Sequence, residues 1–147
     1  RGKGRVGDIL EHSLKKSERD RYTISDRLWK SHQDRKERNR KNGKGFGFRK
    51  FSHDDERTST LSARYYKDGA EILIDQGNKN PRKLTPRECA RLQGFPEDFR
   101  IHSSDQQAYR QFGNAVNVWV VRSLADKLLE TMKNLKIPPH LILDNND

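Results

Sequence analysis

Apolar positions are spread unevenly along this 147-residue chain, and their spacing separates it into segments of different kind. Val6-Gly7-Asp8-Ile9-Leu10-Glu11 is a short apolar start that gives way to polar residues. The pattern then predicts a helix within Ser25–Lys41, stopped at Asn42-Gly43, where glycine can take the left-handed conformation that ends helices. Only its first turn is apolar (Ile24, Leu28, Trp29). The remainder is polar all round and should project into solvent or onto a charged partner. Thr58–Tyr66 and Ala70–Asp75 alternate, are rich in β-formers, and flank Lys67-Asp68-Gly69. Asp-Gly is a strong tight-hairpin signal. With Asp68 and Gly69 as the loop, Ala63 and Tyr65 fall opposite Ile74 and Ile72 on one face. Ser62, Arg64 and Tyr66 form the other face, which the pattern leaves open to solvent or to a partner.

Helical signals dominate the second half. Leu84-Thr85-Pro86-Arg87-Glu88 combines an N-cap (Thr85), proline at the first helical position and a reciprocal glutamate. Leu84 and Cys89 are spaced as a hydrophobic staple, and Gly94 and Pro96 should stop this helix early. Ser104-Asp105-Gln106-Gln107 repeats the box with glutamine in the reciprocal role and opens a second short helix ending near Gly113. From Val118 onward, Val121, Leu124, Ala125, Leu128, Leu129 and Met132 recur at three- and four-residue spacing, the stripe of an amphipathic helix. The stretch after Pro138-Pro139 reads as a loosely held, acidic tail.

Composition sharpens this picture. The length suits one ordinary domain or two small lobes, yet hydrophobic residues reach only 31% against 35% charged, with a mean hydropathy of −1.15. Such a chain is short of core material, which points to packing against something outside it. Basic residues exceed acidic ones by 31 − 21 = 10, with a pI near 9.9, and this suits a polyanionic partner. The excess is concentrated. Lys30, Arg35, Lys36, Arg38, Arg40, Lys41, Lys44, Arg49 and Lys50 are opposed only by Asp34 and Glu37, so 9 − 2 = 7 of the net charge lies in one stretch. Within it, Gly43-Lys44-Gly45-Phe46-Gly47-Phe48 has glycines like a phosphate-cradling loop but the spacing of neither nucleotide fingerprint. A flexible loop whose amides and Lys44 approach a nucleic-acid backbone is the better reading.

The single cysteine, Cys89, excludes an internal disulfide and fits a reducing cytoplasm. Five scattered histidines show no zinc-type pairing, so no metal is expected. No apolar run approaches a membrane span. The chain opens on Arg1 without an initiator methionine, which is read here as a piece of something longer.

Two segments carry a resemblance. Arg82-Lys83-Leu84-Thr85-Pro86-Arg87-Glu88-Cys89-Ala90-Arg91-Leu92-Gln93-Gly94-Phe95-Pro96 resembles motif nine of DNA cytosine-5 methyltransferases, and Gln111-Phe112-Gly113-Asn114-Ala115-Val116 resembles motif ten, in the family's order and spacing. Gly45-Phe46-Gly47, followed by Thr60-Leu61-Ser62-Ala63-Arg64-Tyr65-Tyr66-Lys67-Asp68-Gly69-Ala70-Glu71-Ile72-Leu73-Ile74, is similar to the target-recognition region of Dcm-like bacterial members. The likeness covers most of 42–125, and residues 1–41 match weakly.

The resemblance implies an α+β fold: a small mixed target-recognition lobe with a β-hairpin, plus C-terminal helices that complete an α/β methyltransferase lobe. Residues 1–80 would be the recognition region, 81–97 motif nine organising it, 98–136 motif ten and the helix packed on the catalytic lobe, and 137–147 a tail. Asn114, Ala115 and Val116 would help wall the S-adenosylmethionine site. Thr85, Arg87, Glu88, Arg91, Gln93 and Gly94 would hold the motif together. Lys41, Lys44, Arg49, Arg64, Tyr66 and Arg82 are the candidates to touch double-stranded DNA, since arginine paired with guanine is the commonest base contact. Likeness to the Dcm-like region suggests a short site such as CC(A/T)GG.

The implied chemistry is addition of a cysteine thiolate at C6 of a flipped cytosine, which makes C5 able to take a methyl group. In the family that cysteine follows a proline. Here Cys89 follows Glu88 at a staple position that favours burial, and neither Pro-Cys, Glu-Asn-Val nor the glycine-rich donor loop occurs. The chain alone should not methylate DNA. It is expected to be a fragment, or a subunit of a split enzyme, acting with a catalytic N-terminal portion in the bacterial cytoplasm and on the nucleoid. The alternatives are a stand-alone DNA-binding or regulatory module without catalysis and, on charge alone, an RNA-binding protein that would leave both motifs unexplained.

Overall fold

The computed structural model of the chain describes residues 4–45 and 47–135. Phe46 and the expected tail at 137–147 lie outside the described residues. There are two compact units, Arg1–Ala115 and Val116–Asp147, with the break after motif ten's Asn-Ala pair. The reason is burial: Ala108, Tyr109 and Phe112 belong to the same core cluster as Leu61, Tyr65 and Leu84.

The first unit opens with a single 3-10 turn, Val6–Ile9, then α1 (Lys16–Tyr22) and α2 (Asp26–Lys41). Ser25 caps α2 by accepting from the Leu28 amide at 3.3 Å, and Gly43 follows it at φ 61°, as the pattern predicts. The helix is not polar all round in its surroundings, however. His32, one turn beyond Leu28, is 1% exposed, and Arg35 is half-buried beside it. Hydrophobic patterning misses this inward face because it is built of polar groups whose partners lie far away in sequence.

The sheet has three strands in the order β1-β2-β3: β1 (Lys50–Phe51), β2 (Leu73–Gln76) and β3 (Lys79–Lys83). β1 runs parallel to β2, pairing Lys50 with Leu73 and Phe51 with Ile74. β2 and β3 form an antiparallel hairpin in which Leu73 faces Lys83 and Ile74 faces Arg82. The loop between them is Gly77-Asn78, with Gly77 at φ 67°.

The hairpin expected around Asp68-Gly69 is therefore displaced. Thr58–Tyr66 is not a strand, and Tyr65–Asp68 is a helical turn, α3, closed by Gly69 at φ 64°. Asp68 Oδ1 accepts from the Ala70 amide at 3.2 Å, and Gly69 donates back to the Tyr65 carbonyl. The Asp-Gly signal is real, but it ends a helical turn here. Tyr65 decides the matter: its ring is fully buried, and its hydroxyl donates to the Ile72 carbonyl at 2.6 Å while accepting from the Leu84 amide at 2.8 Å. The facing of Ala63 and Tyr65 with Ile74 and Ile72 does not form, nor does the opposite face of Ser62, Arg64 and Tyr66.

Motif nine forms α4 (Pro86–Leu92) with every expected start signal. Thr85 Oγ1 accepts from the Glu88 amide at 3.1 Å, and Glu88 Oε2 accepts from the Thr85 amide at 2.8 Å. Leu84 and Cys89 are both fully buried in one cluster. At the other end Phe95 donates to the Ala90 carbonyl and Gly94 to Arg91, the paired bonds of a Schellman stop with Gly94 at φ 79°. α5 (Asp105–Asn114) starts without a side-chain cap from Ser104, so the second box does not close. His102 Nδ1 instead accepts from the Ser104 amide.

The second unit is α6 (Val118–Asn134), capped by Asn117 Oδ1, which accepts from the Trp119 amide at 3.0 Å. Of the predicted stripe, Val121, Leu124, Leu128 and Leu129 are between 49% and 67% exposed and Met132 is buried; Trp119 and Val120 outside it are also exposed.

Candidate nucleic-acid interface

A buried ion pair organises the first unit. Arg82 donates from Nη1 to Glu88 Oε2 at 2.7 Å and from Nη2 to Oε1 at 2.8 Å, with the two side chains 6% and 0% exposed. Glu88 also accepts from the Glu11 amide, and Thr85 Oγ1 donates to the Glu11 carboxylate. The carboxylate thus ties the N-terminal segment, β3 and α4 together. Arg91 adds a second tie, donating to Glu97 and to the Ile9 carbonyl. Arg87 donates to the carbonyls of Pro96 and Phe99, and Gln93 to that of Phe112. Arg82, a candidate to touch DNA, is 5% exposed and makes three hydrogen bonds within the fold.

A recess of about 350 Å³ lies where α2 meets α3, lined by Arg35, Gly47, Ser62, Arg64, Lys67 and Glu71, among others. Arg35 donates twice to the Gly47 carbonyl, at 3.1 and 2.8 Å, once to Asp68 Oδ2 at 3.0 Å, and to His32 Nδ1 at 2.9 Å. His32 Nε2 in turn donates to the Asp68 carbonyl. Burial pushes the His32 pKa down, and Arg35 opposes protonation further, against the Asp68 carbonyl and carboxylates that favour it. Burial would raise the Asp68 carboxyl, but its bonds from Arg35 and the Ala70 amide leave it below the usual carboxylate value. Gly47 is required by space: a Cβ there would lie 2.5 Å from the Lys36 Cα. Half of the glycine loop is thereby clamped on α2, and Lys44 remains on its exposed side.

Arg64 is exposed on the rim of this recess, its amide donating to Ser62 Oγ at 3.2 Å. Ser62 Oγ also donates to Glu71 Oε1 at 2.5 Å, whereas Glu71 Oε2 is buried without a partner among the described residues. Tyr66 faces a different recess of about 230 Å³, with Tyr22, Lys83 and Tyr109. Burial and the neighbouring Asp105 push the Tyr22 phenol up to about 12. Arg49 is exposed, and its backbone links β1 to Ala70 and Leu73. The basic stretch is partly neutralised internally: Arg40 and Lys41 pair with Glu37, Lys50 with Asp75, Arg35 with Asp68, and Lys36 sits over the Phe48 ring. Lys30, Arg38 and Lys44 are exposed and make no ion pair among the described residues. The structure therefore gathers Arg64 with the Gly47 loop, and places Tyr66 and Arg82 elsewhere. The node of His32, Arg35 and Asp68 has no local signal in the sequence.

Asn114 is exposed at the end of α5, Ala115 follows in extended conformation with its amide bonded to the Phe112 carbonyl, and Val116 is 64% exposed. Cys89 is fully buried, and burial with Glu88 beside it raises its thiol well above the ordinary value. A thiol so placed is a core group, not a nucleophile. Among the described residues no helix is long and apolar enough to cross a membrane, and no cluster of His, Cys, Asp and Glu suits a metal.

The family of C-5 cytosine-specific DNA methylases matches residues 1–130, and the chain belongs to it. It is 60% identical over 134 residues to Type II methyltransferase M1.ScrFI of Lactococcus lactis subsp. cremoris, covering 91% of this chain and 33% of that protein. It is 47% identical to the DNA-cytosine methyltransferase of Escherichia coli K12, covering 75% of this chain and 28% of that one. The chain thus spans about a third of the length of the curated relatives it matches. In fold it resembles S. pombe Dnmt2 methyltransferase, with a TM-score of 0.69 at 23% identity, covering 87% of this chain and 42% of the other.

Proposed function

We propose that this chain recognises the DNA target and supplies one wall of the S-adenosylmethionine site for a cytosine-5 methyltransferase whose nucleophilic cysteine lies in another portion. The observation that carries this reading is the uncovered face of α6. Val121, Leu124, Leu128 and Leu129 stand exposed along one face of a helix in a protein short of core material, and covering each is worth about 1.5–3 kcal/mol. A helix with such a face needs a further layer, and a catalytic lobe supplies one. Double-stranded DNA is the partner of the basic face: Lys30, Arg38 and Lys44 neutralise phosphates, and Arg64, exposed at the rim of the recess, meets a base edge. Asn114, Ala115 and Val116 fit a wall of the donor site, with Asn114 and Val116 exposed. When bound, S-adenosylmethionine supplies the methyl group. This chain's residues bind DNA and help enclose the donor.

The test is a chimera in which this chain replaces the matching third of the lactococcal relative, alongside the unmatched portion of that enzyme tested with and without this chain added. Transfer of tritiated methyl groups to duplex DNA is expected from the chimera and from the mixture, and from neither part alone. An inactive but folded chimera refutes the proposal.

A further inference from the structure

Gly113 lies inside motif ten, one residue before the end of α5. It is not among the glycines with positive φ, and the helix continues through Asn114, so neither turn geometry nor helix termination calls for glycine here. Space does. A Cβ built on Gly113 would sit 2.2 Å from the Ser62 carbonyl oxygen, 2.4 Å from the Ser62 carbonyl carbon and 2.5 Å from the Ala63 nitrogen. All three are backbone atoms, so no change of rotamer relieves the overlap. The helix rests directly on the main chain of the segment that delivers Arg64.

The surrounding contacts stiffen this seat. Tyr65, the residue after Arg64, meets Tyr109 of α5 edge-on with ring centroids 5.3 Å apart. Tyr109 donates to the Leu84 carbonyl at 2.6 Å, and Leu84 donates to the Tyr65 hydroxyl. Gln93 holds the Phe112 carbonyl at 2.9 Å. Sub-ångström displacement of one partner must move the other, because packed interiors of this kind deform little.

The geometry points to Gly113 as a positioning residue that fixes the Arg64-bearing segment to the helix running into Asn114 and Ala115, so that recognition contact and donor-side turn are set together. This rests on the proposed function. It goes further by coupling two surfaces that separate motifs would leave independent.

Gly113→Ala in the chimera described above tests it. Forcing the Ser62–Ala63 backbone away is an overpacking change, expected to raise KM for DNA by at least about fivefold and to erode the preference for the best-methylated duplex over its single-base variants. KM for S-adenosylmethionine is expected to change by less than about twofold. Unchanged DNA parameters, or a loss confined to the donor, would overturn the inference. Arg64→Ala in the same chimera separates the two layers. If Arg64→Ala leaves site preference intact, the recognition reading itself fails; if it erodes preference while Gly113→Ala does not, only the coupling fails. Should Gly113→Ala not fold, hydrogen exchange on the unsubstituted chimera decides. Bound S-adenosylhomocysteine is expected to slow exchange at Ser62–Arg64 as well as at Asn114–Ala115, and slowing at the latter alone refutes the coupling.

Discussion

Removing the Glu88 carboxylate is the most informative perturbation of this fold. Glu88→Ala leaves the Arg82 guanidinium buried, with the Lys83 carbonyl at 3.0 Å as its remaining acceptor, and strips a partner from the Thr85 and Glu11 amides. Breaking a buried pair by deleting one member costs about 3–5 kcal/mol, because the other charge stays desolvated. That is a large part of the roughly 5–15 kcal/mol that stabilises a domain. Glu88→Gln offers little relief. Each carboxylate oxygen accepts from one Arg82 nitrogen and one backbone amide, so either orientation of the amide sets an NH2 against two donors. It should fall near Glu88→Ala rather than near wild type. Arg82→Met combined with Glu88→Met removes both charges, and should cost clearly less than the sum of the single changes. Urea unfolding followed by far-ultraviolet circular dichroism measures wild type, the two Glu88 variants, the double change and its two single changes. A Glu88→Ala variant within about 1 kcal/mol of wild type would show that the pair contributes no more than an ordinary hydrogen bond and refute the reasoning.

Two further outcomes follow from the titrating groups. His32 is held below its ordinary value of 6.5 in the folded chain. Between the folded and unfolded values the unfolded chain binds more protons, so stability is fully present above about 6.5 and is lost as pH falls toward the folded value. The stability difference between wild type and His32→Gln should therefore narrow as pH drops from about 7 to 5, and parallel unfolding curves across that window would contradict the burial of a neutral imidazole. Cys89, buried with a raised thiol pKa, should react with iodoacetamide only at the rate of unfolding. Rapid labelling in native buffer would place it at the surface instead.

Much of this was legible from local sequence. The α2 cap at Ser25, the α4 box of Thr85 and Glu88, the Gly94 stop and the α6 stripe each depend on residues within a few positions of one another. Their hydrogen bonds and periodicity are therefore written into adjacent letters. The methylase family itself was legible for the same reason, since its motifs are contiguous. Asp68-Gly69 shows the limit. The dipeptide marked a reversal correctly, but whether that reversal joined two strands or ended a helical turn depended on where the Tyr65 hydroxyl found its partners, at Ile72 and Leu84.

Tertiary structure alone decided which cations remain available and which are consumed. Arg82 and Arg64 are the same residue type in segments of similar character, yet one is enclosed against Glu88 and the other stands at an open rim. The polar inward face of α2 and the contact of Gly113 with Ser62 belong to the same category. A charged side chain or a missing Cβ has no pattern that announces its partner, and the partner is set by how distant segments compete for the same desolvated space. Sequence by itself therefore determined the longer helices, the basic character and the family. Which groups were buried, and which were left exposed, was settled only when those elements packed.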